Sequence, residues 1–214
     1  MKNVLCASTS GATSGIEIEE LLKSSGNPEL DKGLISEMNL QSAFFGYRPA
    51  FILYSGGEKN AFATPEEMPQ TRGTDGTIFY NLEMLKEQLL VPKWGGAILS
   101  GVIAHEFGHI YQNFGKALGR LRALGTTVKF VELHADFLSG FYMGGKDRNI
   151  DVKPYADAFF KIGDYEFTQA DHHGTPEERY FVLKAGYNFR RSQTSATIAS
   201  ASDQAEKVLQ EYIH

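Results

Sequence analysis

The chain has 214 residues with 42% hydrophobic and 12% aromatic side chains, enough to bury a real core in one moderate domain and too apolar for a disordered one. A net charge of −5 with the signs interspersed leaves no basic stripe, so no nucleic-acid partner is expected. The single cysteine, Cys6, excludes an internal disulfide framework and a cysteine-rich zinc module, and no run approaches the roughly 18 apolar residues of a membrane span, so no integral span is expected.

The first residues, "MKNVLCAS", place a lysine and a short apolar patch before Cys6, faintly like a lipoprotein signal. The patch is shorter than the roughly 7–15 residues of a signal core and reads as an ordinary or trimmed N-terminus. The compartment stays open between cytoplasm and export. Residues 7–15 are small and polar, and "IEIEELLKSS" shows helical spacing, so 1–25 reads as a flexible lead-in and a short helix. After a break at Gly26 to Pro28, "PELDKGLISEMNLQSAFF" is helical again. Strands follow at "PAFILYS" (49–55), "NAFAT" (60–64) and "GTIFYN" (76–81), the last two separated by a polar loop with Pro65, Pro69, Gly73 and Gly76.

From Leu82 the pattern turns helical. "LEMLKEQLL" ends at Pro92, a long helix runs from about Trp94 to at least Phe114, and "TTVKFVELHADFLSGFYMG" stops at Gly144-Gly145. "KPYADAFFKIG" is a shorter helix, and "TPEERYFVLKAGYNFRR" opens with a capping box, Thr175 and Glu178, with Pro176 at the first helical position. The tail from about Ile198 is amphipathic, with Asp203, Glu206 and Lys207 on its wet side. The expected fold is α+β: a small early sheet packed against a mainly helical domain over 26–191, then a C-terminal amphipathic helix over 192–214.

Chemistry concentrates in "VIAHEFGHIYQ". Residues four apart share one helix face, so His105 and His109 can grip one ion from adjacent turns, and neutral imidazoles suit zinc. Glu106 sits about 100° round the helix, placed to act as general base on a polarised water. Two histidines do not complete a catalytic site, which takes three protein ligands and an open position. "VELHAD" supplies Glu132 and Asp136, again four apart, among Phe130, Val131, Leu133, Phe137 and Leu138. One carboxylate can ligate while the other accepts the free ring N–H of a ligating histidine. His134 points off that face and reads as hydrogen-bonded or exposed.

The blocks "HEFGHIYQ", "ELHADFLSGFY", "AFFKIGD" and "HHGTPEERYFVLKAGY", in that order, resemble gluzincin metallopeptidases, with the pattern H-E-x-x-H then E-x-x-x-D. Within that class the chain looks like the bacterial neutral zinc metallopeptidase family, over about residues 45–190, and implies a zincin-like fold with the metal site between two helices. That family's second motif has glutamine and cysteine where this chain has His134 and Phe137. The resemblance implies one zinc ion per chain held by His105, His109 and Glu132, Glu106 as base, and Asp136 as partner of a ligating histidine, His105 first. It implies an oxyanion-stabilising role for His173, with His172 and Tyr180 as fallbacks. It also makes the strand at Asn60, Ala61, Phe62 and Ala63 the edge on which an extended peptide or protein substrate would pair antiparallel. The expected activity is zinc-dependent peptide hydrolysis. The alternative is a zinc-bearing scaffold or latent enzyme, with a terminal segment lying across the site.

Overall fold

The computed structural model describes residues 2–4, 16–18, 20–125, 128–146, 156 and 173–212. Strands β1 (Lys2–Val4) and β2 (Ile16–Ile18) pair antiparallel, and β3 (Glu20–Leu22) pairs antiparallel with β4 (Ala50–Ser55). The short helix expected in "IEIEELLKSS" is therefore replaced by strand. That stretch also alternates with period two, and pairing Leu21 with Tyr54 satisfies its backbone in a way a short isolated helix could not. Helix α1 (Pro28–Phe45) follows, capped by the Asn27 side chain and closed by Gly46 at φ 79°, a left-handed turn that glycine reaches without strain.

The three apolar runs expected as strands are strands: β4, β5 (Ala61–Thr64) and β6 (Thr77–Asn81). Sheet order is β3-β4-β6-β5, with β4 and β6 parallel and β5 antiparallel to β6. Central β6 is buried along its whole length, which accounts for its unbroken "TIFY" run. One face of the sheet gathers Ile52, Tyr54, Phe62 and Phe79, while Leu53, Ala61, Ala63, Ile78 and Tyr80 on the other face join the main core with the helices. Strand β5 is the sheet's edge, and helix α3 packs against it.

The helical part comprises α2 (Leu82–Leu89), α3 (Gly95–Phe114), α4 (Ala117–Leu124), α5 (Lys129–Lys146), α6 (Pro176–Ser192) and α7 (Ile198–Tyr212). The chain is thus a mixed α+β protein, mostly helical, with seven helices among the described residues. Helix α4 has no counterpart in the elements expected from sequence. The expected helix at "KPYADAFFKIG" lies, apart from Ala156, outside the described residues.

Helix α5 runs through Gly144 and Gly145 to Lys146 rather than stopping at them. These glycines are packing positions: a Cβ on Gly144 would lie 2.6 Å from the Tyr187 carbonyl oxygen of α6. Gly140 of α5 and Gly186 of α6 are tighter still, each with a hypothetical Cβ 2.0 Å from a carbonyl of the facing helix. At the crossing of α3 and α5 the fit is also tight: a Cβ on Gly108 would lie 3.0 Å from the Ala135 Cα, so one helix would have to give by a few tenths of an ångström. Small residues at these crossings bring three helices close enough for short side chains to meet.

Candidate metal centre

The Gly108–Ala135 contact sets the site, because His105 and His109 flank Gly108 while Glu132 and Asp136 flank Ala135. Across it, His105 Nε2 lies 3.1 Å from His109 Nε2 and 3.3 Å from Glu132 Oε2, and His109 Nε2 lies 3.6 Å from Glu132 Oε1. A tetrahedral ion with bonds of about 2.0–2.1 Å has ligand–ligand edges of about 3.3 Å. These three residues together can hold a metal ion. His105 is buried at 7% exposure, with Glu132 and His109 only partly covered.

Hydrogen bonding around the cluster decides which ring nitrogens face it. Asp136 Oδ1 lies 2.9 Å from His105 Nδ1, so Nδ1 donates to the carboxylate and the Nε2 lone pair points inward. On the other ring, Gln112 Nε2 donates to the Val131 carbonyl at 2.7 Å, which turns Gln112 Oε1 toward His109 Nδ1 at 2.9 Å. His109 Nδ1 therefore donates and its Nε2 is also an inward lone pair. Two lone pairs 3.1 Å apart beside a carboxylate repel one another unless a cation sits among them. The donor set fits a metal on this ground.

Charge in the cluster is strongly coupled. Burial alone would lower the His105 pKa, but hydrogen bonds and charge from Asp136 and Glu132 outweigh it and hold the ring up at about 10. Without a metal, a proton on His105 meets the cluster's need for positive charge. Burial works against ionised Glu132, yet His109, His105 and His173 keep that carboxylate well below its ordinary range. Glu106 goes the other way: burial raises it, and its neighbours' charges pull in both directions. Its Oε2 is buried with no hydrogen-bond partner among the described residues, an unusual state for a carboxylate.

The sequence expectations for His105, His109, Glu132 and Asp136 meet in one place, and Asp136 is paired with His105 as expected. His173 reaches the rim, its Nδ1 3.9 Å from Glu132 Oε2 and its side chain about half exposed. Tyr180 lies under the Lys184 ammonium on the same helix. His172 lies outside the described residues. Asn60 holds the start of the edge strand, its Oδ1 accepting from the Ala61 N–H at 2.8 Å, and Ala61, Phe62 and Ala63 are buried in β5.

Sequence reasoning passed over three contributors. Arg179 is buried on α6 and binds Asp136 through both oxygens, Nε to Oδ2 at 2.8 Å and Nη2 to Oδ1 at 3.0 Å. Against the cost of burial, this guanidinium and His105 hold Asp136 below the usual carboxylate range. Gln112 stands three residues after His109, on the same helix face, and that spacing was the available signal. Ser202 of α7 reaches His134 Nε2 at 2.9 Å. His134 is hydrogen-bonded, as expected, and fully buried; burial first, then the charges of His109 and Arg120, push it down to about 3, so the ring is neutral.

No helix among the described residues is long and apolar enough to cross a membrane. In comparisons with known proteins, no family model matches this sequence, and no curated protein and no solved structure matches it either.

Proposed function

We propose that the protein is a zinc-dependent peptidase of the gluzincin type, with His105, His109 and Glu132 holding the ion. The observation that carries this reading is the buried Oε2 of Glu106, unpartnered among the described residues, beside the three candidate ligands. A purely structural metal site has no use for a free carboxylate oxygen next to it. Zinc bound there would polarise a water molecule and the scissile carbonyl.

The protein's own groups then have distinct tasks. Glu106, its basicity raised by burial, accepts a proton from the attacking water and delivers it to the leaving amine. Asp136, anchored by Arg179, keeps the His105 proton on Nδ1. His173 stands at the rim, where a hydrogen bond to the developing oxyanion would come from. Strand β5, the edge of its sheet among the described residues, would offer backbone N–H and C=O groups to an extended peptide lying antiparallel to Asn60–Ala63.

The test is to incubate wild type and Glu106→Gln with a broad library of unstructured peptides, measuring zinc content in both. Glu106→Gln should keep its zinc and lose about 10²–10⁴-fold in turnover, the usual worth of a positioned general base. Full activity in Glu106→Gln with zinc bound would rule the mechanism out. A zinc-bearing scaffold is the competing reading, favoured by the near-complete burial of Glu106 at 4% exposure. Zinc binding without cleavage by wild type would establish it.

A further inference from the structure

Gln112 does more than accept from His109. Its Nε2 has two protons: one goes to the Val131 carbonyl at 2.7 Å, and the other points at His134 Nδ1, 3.2 Å away. His134 Nδ1 must then be the bare, accepting nitrogen, which leaves the ring's proton on Nε2 to be donated to Ser202 Oγ at 2.9 Å. An unbroken chain with a single sense runs from α7 through α5 to α3: Ser202 accepts from His134, His134 from Gln112, and Gln112 from His109. Its three members beyond the ligand are buried at 0–1% exposure, so water cannot substitute for any of them.

The sense of this chain matters for the metal. Loss of the Ser202 hydroxyl removes the side-chain acceptor of the His134 Nε2 proton and leaves it the Ser202 backbone alone in a dry site. Moving that proton to Nδ1 sets it against the Gln112 amide protons. Gln112 is then driven to flip, which presents an NH2 group to the His109 Nδ1 proton. The tautomer that aims the His109 Nε2 lone pair at the metal is thereby undermined from the far end.

We propose that Gln112, His134 and Ser202 are positioning residues that couple the docked C-terminal helix α7 to the metal centre, so that metal binding and α7 docking stabilise each other. The inference rests on His105, His109 and Glu132 binding a metal, and is independent of peptidase activity. Coupling between two sites is reciprocal, so it can be read from either end. Ser202 also pairs with Tyr111 of α3, and α7 is further held by buried Ala201, Ala205, Val208 and Leu209 and by the Glu206 carboxylate, which accepts from Arg120 of α4 at 2.6–3.0 Å. The apolar contacts and the Glu206 pair do not touch the metal site and supply controls.

The experiment uses the full chain as wild type, Ser202→Ala, His134→Leu, His134→Gln and the exposed control Asp203→Asn. Zinc affinity is measured by chelator competition, the electronic spectrum of the cobalt-substituted protein reports ligand geometry, and native-state amide exchange is followed in 198–212 with α1 as internal reference. Ser202→Ala and His134→Leu should bind zinc about tenfold more weakly, with a changed cobalt spectrum. His134→Gln, whose amide can both accept from Gln112 and donate to Ser202, should return both readouts toward wild type, as a role in packing alone would not require. In wild type and Asp203→Asn, zinc should slow exchange in α7 beyond its effect on α1, and in Ser202→Ala it should not. Folded Ser202→Ala and His134→Leu that bind zinc as tightly as wild type, with an unchanged spectrum, overturn the coupling and leave the metal site standing. Wild type that binds no zinc overturns the metal site itself, and the coupling with it. Should His134→Leu not fold, Ser202→Ala, which removes one oxygen atom, decides.

Discussion

Asp136 shows how much one buried side chain is asked to do. Each of its oxygens accepts from Arg179, and Oδ1 also accepts from His105, so the carboxylate is held by two elements other than its own. Arg179 keeps it ionised, and ionised Asp136 holds a proton on His105 Nδ1, so that Nε2 is the nitrogen turned toward a metal. In Asp136→Asn the shape survives but the negative charge is lost, and the buried Arg179 guanidinium loses its ion pair with Asp136. Breaking such a pair costs about 3–5 kcal/mol, and loss of a partner to a ligating histidine costs about 10–100-fold in metal affinity. Asp136→Asn should therefore melt lower than wild type and yield zinc to a chelator at about 10–100-fold lower competitor strength. Unchanged zinc affinity would show that His105 does not depend on it. The two histidines and the two acids were legible in the sequence because helical spacing alone places each pair on one face, and Glu106 because it directly follows His105 in the same motif. Arg179 was not, since nothing local marks a residue 43 positions from its partner as the one that returns to it.

At the scale of the element, helix approach is set by glycine. Gly140 and Gly186 each leave a carbonyl of the facing helix 2.0 Å from where a Cβ would stand, so neither helix can keep its place if a methyl is added. Gly140→Ala should destabilise the protein by about 1–3 kcal/mol or more, as overpacking a rigid contact does. Gly33 on α1 provides the contrast: it is exposed, and an added Cβ would meet nothing within 4 Å. Gly33→Ala should be neutral or stabilising by up to about 1 kcal/mol. Denaturant melts of the two variants test this, and equal losses would mean that helix propensity rather than close approach sets the cost. The sequence showed Gly144-Gly145 but suggested a stop signal there. Glycine ends a helix or lets two helices touch, and only the position of α6 distinguishes the two.

Across the whole molecule, Glu37 joins the N-terminal helix to the layer that carries the site. It accepts from Gln41 at 2.8 Å, from Tyr142 of α5 at 2.9 Å and from Lys146, whose ammonium also reaches Ser100 of α3 at 2.7 Å. Burial opposes its ionisation, but Lys146, Gln41 and Tyr142 together lower its pKa below the ordinary 4.5. A depressed carboxylate contributes stability that is present above 4.5 and lost as pH falls through the lower, folded value. Glu37→Gln should accordingly be less stable than wild type near neutrality and lose less on acidification. Melting temperatures from pH 7 to about 3 would show the two curves converging; parallel curves would place the acid sensitivity in other groups.

The sequence by itself determined the α+β class, helix α1, the three core strands, four of the helices that follow them (α2, α3, α5 and α6), the tail helix α7, and the residues able to ligate a metal. Each of these depends on spacing within a few turns or on caps within four residues, and such signals are local. Only the tertiary structure decided that Ile16–Ile18 and Glu20–Leu22 are strands, because β-pairing needs a partner that the local pattern does not contain. The same holds for Arg179, which returns to Asp136, for the glycines that admit the helices to one another, and for the link from Ser202 through His134 to Gln112. These are contacts between distant segments, and their energy exists only once the helices have packed.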